Sequence, residues 1–147
     1  MDITQMVKQV REQAAKYFAE RGEAITEPRS AVEYLEAALS LSDRESFGAL
    51  FLDNKHKVLG FDVIFEGTID QAPVFPREVA RLALIRNATA VIVAHNHPSG
   101  DTAPSREDEK ITKELTDALS LVGLRLLDHI IVGRPGEYSS MKELGLF

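Results

Sequence analysis

The run Thr89-Ala90-Val91-Ile92-Val93-Ala94-His95 constrains this chain more than any other stretch. It carries no acidic or basic side chain before its last residue, and four of its seven residues are β-branched. Such a run is short for a buried helix and fits a strand covered on both faces. Covering both faces takes helices on both sides, so this run alone argues for a layered α/β domain. Pro98 ends it, because proline has no N–H to give to a ladder.

The flanking sequence fits that frame. Ile3 to Glu20 puts Ile3, Met6, Val7, Val10, Ala14 and Phe18 on one stripe at helical spacing, and Gly22 ends it. Such a stripe packs on the body of the domain or on a partner. Pro28 marks a linker, and a second helix is expected over Ser30–Leu41, with Ser30 as cap and Glu33 three residues on. Phe47–Leu52 and Val58–Phe65 flank the polar turn Asp53-Asn54-Lys55-His56, which predicts an antiparallel hairpin. Pro76 opens a helix to about Arg86, at the position proline favours. A loop from Pro98 to Pro104 leads into a helix over Ser105–Leu121. Leu124–Val132 reads as a strand, Arg134-Pro135-Gly136 as a turn, and Glu137–Ser140 as a last short strand. Strands and helices alternate, so the expectation is a three-layer α/β/α domain with a mixed sheet.

At 147 residues, 44% hydrophobic and 27% charged, the chain is one ordinary globular domain in size and composition. It has no Cys. That removes disulfides, thiolate metal sites and a cysteine nucleophile, so any metal site must use His, Asp or Glu. The N-terminus lacks the apolar core of a signal peptide, and no apolar stretch approaches the ~18 residues of a membrane span. A cytoplasmic location and no membrane partner are expected. The net charge of −6 does not indicate nucleic acid, although a local basic patch is compatible with it.

The residues that carry chemistry are His95-Asn96-His97-Pro98-Ser99-Gly100-Asp101, then Ser105 and Asp108. Two histidines lie two apart at the carboxyl end of the buried strand, where open α/β sheets collect ligands. Side chains at i and i+2 share a face, roughly 7 Å apart along the strand. A modest bend brings both imidazoles onto one metal. Ser105 and Asp108 share a face of the next helix's first turn. If that turn covers the strand end, Asp108 completes a His, His, Asp set with a position left for water, as in a catalytic zinc site. A plainer reading stands beside it: Ser-Arg-Glu-Asp is also a capping box, and the histidine segment a polar turn. Asp101 competes with Asp108 as third ligand, or shapes the site with Ser99 by hydrogen bonding. His129 fits a structural or outer-sphere role better than that of a ligand, and His56 reads as turn surface. Arg77 and Arg81 share a helix face, either solvated or in reach of a phosphate.

His95-x-His97-x(7)-Ser105-x(2)-Asp108 resembles the JAMM (MPN+) metalloprotease motif, with its spacing intact. The longer stretches FLDNKHKVLGFDVIFEGTID, VFPREVARLALIRNATAVIVAHNHPSGD, PSREDEKIT and LRLLDHIIVG are similar to the RadC family, a bacterial branch of that superfamily. The resemblance covers roughly Ser30 to Phe147. It implies a JAMM, cytidine-deaminase-like α/β/α fold over 29–147, with 1–28 as an added helix and linker. It implies zinc on His95, His97 and Asp108, and an upstream Glu that carries protons. Glu45, in Glu45-Ser46-Phe47 with Leu52 following, matches the family pattern; Glu66 is the other candidate. By the same resemblance Ser105 steadies an oxyanion while a zinc-activated water cleaves an amide or isopeptide bond of an unknown protein or peptide. Asn96 stands where the eukaryotic isopeptidases often have Ser or Thr, so ubiquitin-like specificity is not implied. Longer members carry a helix-hairpin-helix region, expected to be missing here. The family's name points instead to a DNA-repair or mobile-element accessory protein on the same scaffold, or to metal-dependent nucleic-acid processing. The N-terminal helix offers a surface for a homodimer. The contiguous His-Asn-His is not the signature of HNH nucleases, whose named residues are spread over a finger. HExxH, a P-loop and GxGxxG are absent.

Overall fold

The computed structural model describes residues 2–21, 24–26, 28–39, 44–67 and 76–147. In chain order these form α1 (Ile3–Arg21), α2 (Pro28–Leu39), β1 (Ser46–Leu52), β2 (Val58–Glu66), α3 (Pro76–Ile85), β3 (Ala90–Asn96), α4 (Arg106–Ser120), β4 (Arg125–Val132) and β5 (Tyr138–Ser140). Gly22 and Leu41, expected to bound the first two helices, lie outside the described residues, as does the segment after Gly67.

The β-branched run becomes β3, the middle of a five-stranded sheet in the order β2-β1-β3-β4-β5. β3 runs parallel to β4 and antiparallel to β1, and the outer pairs β1–β2 and β4–β5 are antiparallel. The sheet is therefore mixed. Alternation along β3 feeds two cores. Ala90, Ile92 and Ala94 face α2 through Ala31, Tyr34, Leu35 and Ala38, with Leu50, Leu52, Ile130 and Val132 from neighbouring strands. Val91 and Val93 face α3 and α4, against Val79, Ala83, Ile111, Leu115 and Leu119. Two helical layers thus enclose one sheet, as the sequence predicts.

The hairpin turn is held by the Asp53 carboxylate, which accepts the N–H groups of Lys55 and Lys57 at 2.8 and 3.0 Å. One expectation shifts. Pro28 is not a linker but opens α2; its fixed φ suits a first turn, where its missing N–H costs nothing. α1 packs on α2 and β2, as expected, while Ile3 and Met6 at its start remain 66% and 51% exposed. No described helix is long and apolar enough to cross a membrane.

Candidate metal centre

The carboxyl end of β3 delivers two imidazoles to one place. His95 pairs with Phe47 of β1 and Ile131 of β4, so it is fixed from both sides and fully buried. The Phe47 ring stacks on it at 6.2 Å between centroids. His97 lies one residue beyond β3, and its N–H still donates to Val132 O at 2.9 Å. The His95 and His97 Nε2 atoms come within 2.8 Å of each other.

The loop after His97 folds back over it. Gly100 N–H donates to His97 O at 2.9 Å, and the His97 Nδ1–H donates to Asp101 O. Glycine is required nearby: a Cβ at Gly133 would lie 2.6 Å from Gly100 O, so only glycine lets the end of β4 approach this loop. Asp101 serves the site through its backbone. Its carboxylate turns away and accepts Ala103 N–H at 3.0 Å, while Ser99 Oγ accepts Asp101 N–H at 3.4 Å.

Asp108 arrives from the first turn of α4, seated on the sheet by Ile111, Leu115 and Leu119. The capping box is present: Ser105 Oγ accepts Asp108 N–H at 3.1 Å, and Asp108 Oδ2 accepts Ser105 N–H at 2.8 Å. The cap and the site do not exclude each other. Asp108 caps with Oδ2 and turns Oδ1 to 3.3 Å from His95 Nε2.

Glu45 comes from the segment entering β1. Its Oε1 lies 3.9 Å from His97 Nε2. Asn96, between the two histidines, clamps this segment on both sides: Asn96 Oδ1 accepts Ser46 N–H at 2.6 Å, and Asn96 Nδ2 donates to Arg44 O at 2.9 Å. Nothing local in the sequence marks Asn96 for this, since its partners lie some fifty residues upstream. Glu66 pairs in register with Ser46 on the outer strand β2 and is exposed. Of the two glutamates, Glu45 is the one brought to the histidines. Arg77 is exposed, Arg81 pairs with Glu78 at 3.0 Å, and His56 sits in the hairpin turn with φ 60°.

Among the described residues, two sets of ligand-type atoms lie within 4.8 Å of one another: Glu45, His95 and His97, and the fully buried His95, Asp108 and His129. Both contain His95. A metal could be held by the buried group. Burial, then the neighbouring His97, lowers the His95 pKa to about 3, so its ring is neutral and carries one proton. That proton cannot satisfy both electron-rich neighbours of Nε2, the His97 nitrogen and the Asp108 carboxylate. A cation among these atoms removes the conflict, and two imidazole nitrogens with a carboxylate oxygen are a donor set suited to zinc. Ligand atoms about 2.0–2.1 Å from a tetrahedral centre stand roughly 3.3 Å apart; His95 Nε2 lies 3.3 Å from Asp108 Oδ1 and 2.8 Å from His97 Nε2. The residues present therefore fit a metal.

An α/β domain with a histidine- and carboxylate-lined site that could hold a metal, at the end of a parallel strand pair, is thus the class of protein defined by fold and site. The chain belongs to the family described as RadC-like JAB domain, whose model matches residues 25–146. It is 56% identical over 126 residues to a UPF0758 protein of Nitrosococcus oceani, covering 86% of this chain and 56% of that protein. It is 51% identical over 139 residues to UPF0758 proteins of Vibrio cholerae and Ectopseudomonas mendocina, covering 92% of this chain and 62% of each relative. The chain thus spans between 56% and 62% of the length of these relatives.

Proposed function

We propose that this domain is a zinc-dependent hydrolase of the JAMM type, acting on an amide or isopeptide bond of a protein or peptide. His95, His97 and Asp108 are the metal ligands, Glu45 the proton carrier and Ser105 the oxyanion partner. The hydrolase domain begins with α2 at Pro28 and runs to 147, and the residues before it carry the added helix α1. The observation that carries the reading is the convergence of His97 Nε2 and Asp108 Oδ1 on His95 Nε2, with Glu45 beside His97.

Zinc held there supplies a Lewis acid that polarises a carbonyl and makes water acidic near neutral pH. The chain's own groups do the rest. Glu45, half-buried and flanked by Arg44 and Ser46, whose backbones Asn96 holds, takes a proton from the attacking water. It gives that proton to the nitrogen of the leaving amine as the carbon–nitrogen bond breaks. The Ser105 hydroxyl oxygen is occupied by Asp108 N–H, which leaves its own proton to donate to the developing oxyanion. His95, behind Phe47, keeps one side of the centre dry.

The test is metal content. Protein purified without added metal should contain about one zinc per chain, as a three-ligand site predicts. His95→Ala, His97→Ala and Asp108→Ala should lose it, and Glu45→Gln should keep it. Wild-type zinc content in the ligand variants would sink the proposal. Glu45→Gln used as bait in lysate should then retain a peptide-bonded substrate. Retention of nucleic acid alone would favour a nucleic-acid-processing role.

A further inference from the structure

We propose that His129 and Thr112 form a hydrogen-bonded relay behind His95, which fixes the His95 tautomer and so presents its Nε2 to the metal. His129 is then a positioning residue and not a ligand. The inference rests on the ligand set proposed above.

The relay begins with a fault in the sheet. Along β3 and β4 the register runs Val91↔Leu126 and then Ile92↔Asp128, so Leu127 is an extra residue on β4. Such a bulge reverses the alternation beyond it and re-aims side chains. Leu126 lies in the core under α4. Without the bulge, Asp128 would share that face and His129 would point the other way. With it, His129 turns toward α4, fully buried, its ring edge-on to Phe47 at 5.6 Å.

The protons can be followed from the far end. Thr112 Oγ1 lies 2.6 Å from Asp108 O, 2.7 Å from His129 Nδ1 and 3.4 Å from the Met141 sulfur. A carbonyl can only accept, so the single hydroxyl proton goes to Asp108 O, the shortest of the three contacts. Thr112 Oγ1 must then accept from His129 Nδ1–H. His129 is fully buried, and its two ring nitrogens meet a hydroxyl and an imidazole, so with its ring proton on Nδ1 its Nε2 offers a lone pair. His95 Nδ1 lies 2.8 Å from that lone pair and must donate to it. His95 therefore carries its proton on Nδ1, and its Nε2 is bare. The relay thus runs His95 Nδ1–H to His129 Nε2, His129 Nδ1–H to Thr112 Oγ1, and Thr112 O–H to Asp108 O. It returns to the residue whose carboxylate faces the metal position, one turn back on α4. The relay thus orients the His95 ring and ties it to the backbone of Asp108. Histidine ligands usually have their second ring nitrogen held in this way, and loss of the partner typically weakens metal binding about 10–100-fold. A partner that is itself an imidazole, with nitrogen lone pair and N–H both used, can be occupied in only one tautomer.

Nuclear magnetic resonance on the intact chain, labelled with nitrogen-15 at histidine and loaded with cadmium-113, reads the arrangement directly. The expected result is one-bond cadmium coupling to His95 Nε2 and His97 Nε2, none to His129, and a proton on His129 Nδ1. Coupling to His129 overturns both the relay and the ligand set. Coupling to His95 and His97 with the His129 proton on Nε2 overturns the relay alone. No coupling to any histidine removes the ligand set on which the relay rests. Zinc competition with a chelator adds a second measure. His129→Phe should bind about 10–100-fold more weakly, and Thr112→Val up to about tenfold. His129→Gln keeps an acceptor for His95 Nδ1–H and should recover most of the loss. Wild-type affinity in His129→Phe overturns the relay.

Discussion

Asp108 and Asp128 are both buried carboxylates within reach of His129, and they are used in opposite ways. Asp128 is saturated. Its Oδ1 accepts His129 N–H at 2.7 Å and Lys142 N–H at 3.1 Å, and its Oδ2 accepts the Ser140 hydroxyl. Each of these donors comes from the chain, so both carboxylate oxygens are hydrogen-bonded where they stand, tying β4 to β5 and the C-terminal turn. Asp108 is half used. Oδ2 completes the α4 cap, while Oδ1 faces a histidine nitrogen that the relay leaves without a proton. A buried carboxylate filled with N–H and O–H donors needs nothing further. One that turns an oxygen toward another lone pair fits the metal ion proposed above.

The comparison is broken most directly by removing each charge in turn. Asp108→Asn should weaken zinc binding by more than the ~10–100-fold that loss of an outer partner costs, because a ligand itself is lost. The same change should leave the metal-free protein as stable as before, or more so, since an amide N–H can donate to the bare His95 nitrogen. Chelator competition and thermal unfolding in EDTA read the two effects separately. Asp128→Asn should do the reverse. It weakens charge-assisted bonds worth about 1.5–3 kcal/mol each, so a loss of about 2 kcal/mol, or roughly 4–8 °C in Tm, is expected. Zinc affinity of the folded fraction should hold. If Asp108→Asn destabilises the metal-free protein as much as Asp128→Asn does, the distinction between the two carboxylates collapses.

Asn96 belongs with Asp128, because both ends of its amide are used. Asn96→Ala leaves the buried Ser46 N–H without its acceptor, at about 1–2 kcal/mol. Urea unfolding should report that loss, and amide exchange at Ser46 should quicken while zinc stays bound. Zinc lost together with stability would mean that the clamp supports the ligands and not only the segment carrying Glu45.

Much of this was legible locally. The β-branched run, the proline at the start of α3, the Ser105 cap and the histidine spacing each depend on residues within a few positions of one another. Those readings carry over because local sterics and capping decide them. Pro28 was legible in principle, but was read as a break where it in fact begins a helix. What escaped depends on pairing between distant segments. The β4 bulge arises only when β3 and β4 are laid side by side, so the sequence does not say that His129 and not Asp128 faces α4. The adjacent polar pair Asp128-His129 in the otherwise apolar RLLDHIIV was the available signal. In a buried strand, two consecutive polar residues demand partners on both faces. Thr112 gave no signal, being one threonine on a helix whose partner is set by that bulge. The choice between Glu45 and Glu66 rested on resemblance alone, because both stand at strand ends. It is geometry across β1 that sets one near His97 and the other at an exposed edge.

Ser105 gives the smallest effect and the finest version of the comparison, since its hydroxyl is an acceptor for the cap and keeps a proton to donate. Ser105→Ala removes the cap on Asp108 N–H and should cost about 1 kcal/mol, whereas Ser105→Gly should cost only a few tenths. In both variants Ser105 N–H still reaches Asp108 Oδ2, because that bond comes from the backbone. Asp108 Oδ1 therefore keeps its direction, and zinc affinity should stay within about threefold of wild type, the scale of a cap lost without its ligand. Wild-type stability in both the Ala and Gly variants would show that the cap carries no weight. A large loss of zinc in the Gly variant would show that the hydroxyl itself, and not the backbone half of the cap, aims the carboxylate. With stability near wild type and zinc retained, any turnover lost by Ser105→Gly is assigned to the hydroxyl proton, which separates the helix cap from the oxyanion partner in a single residue.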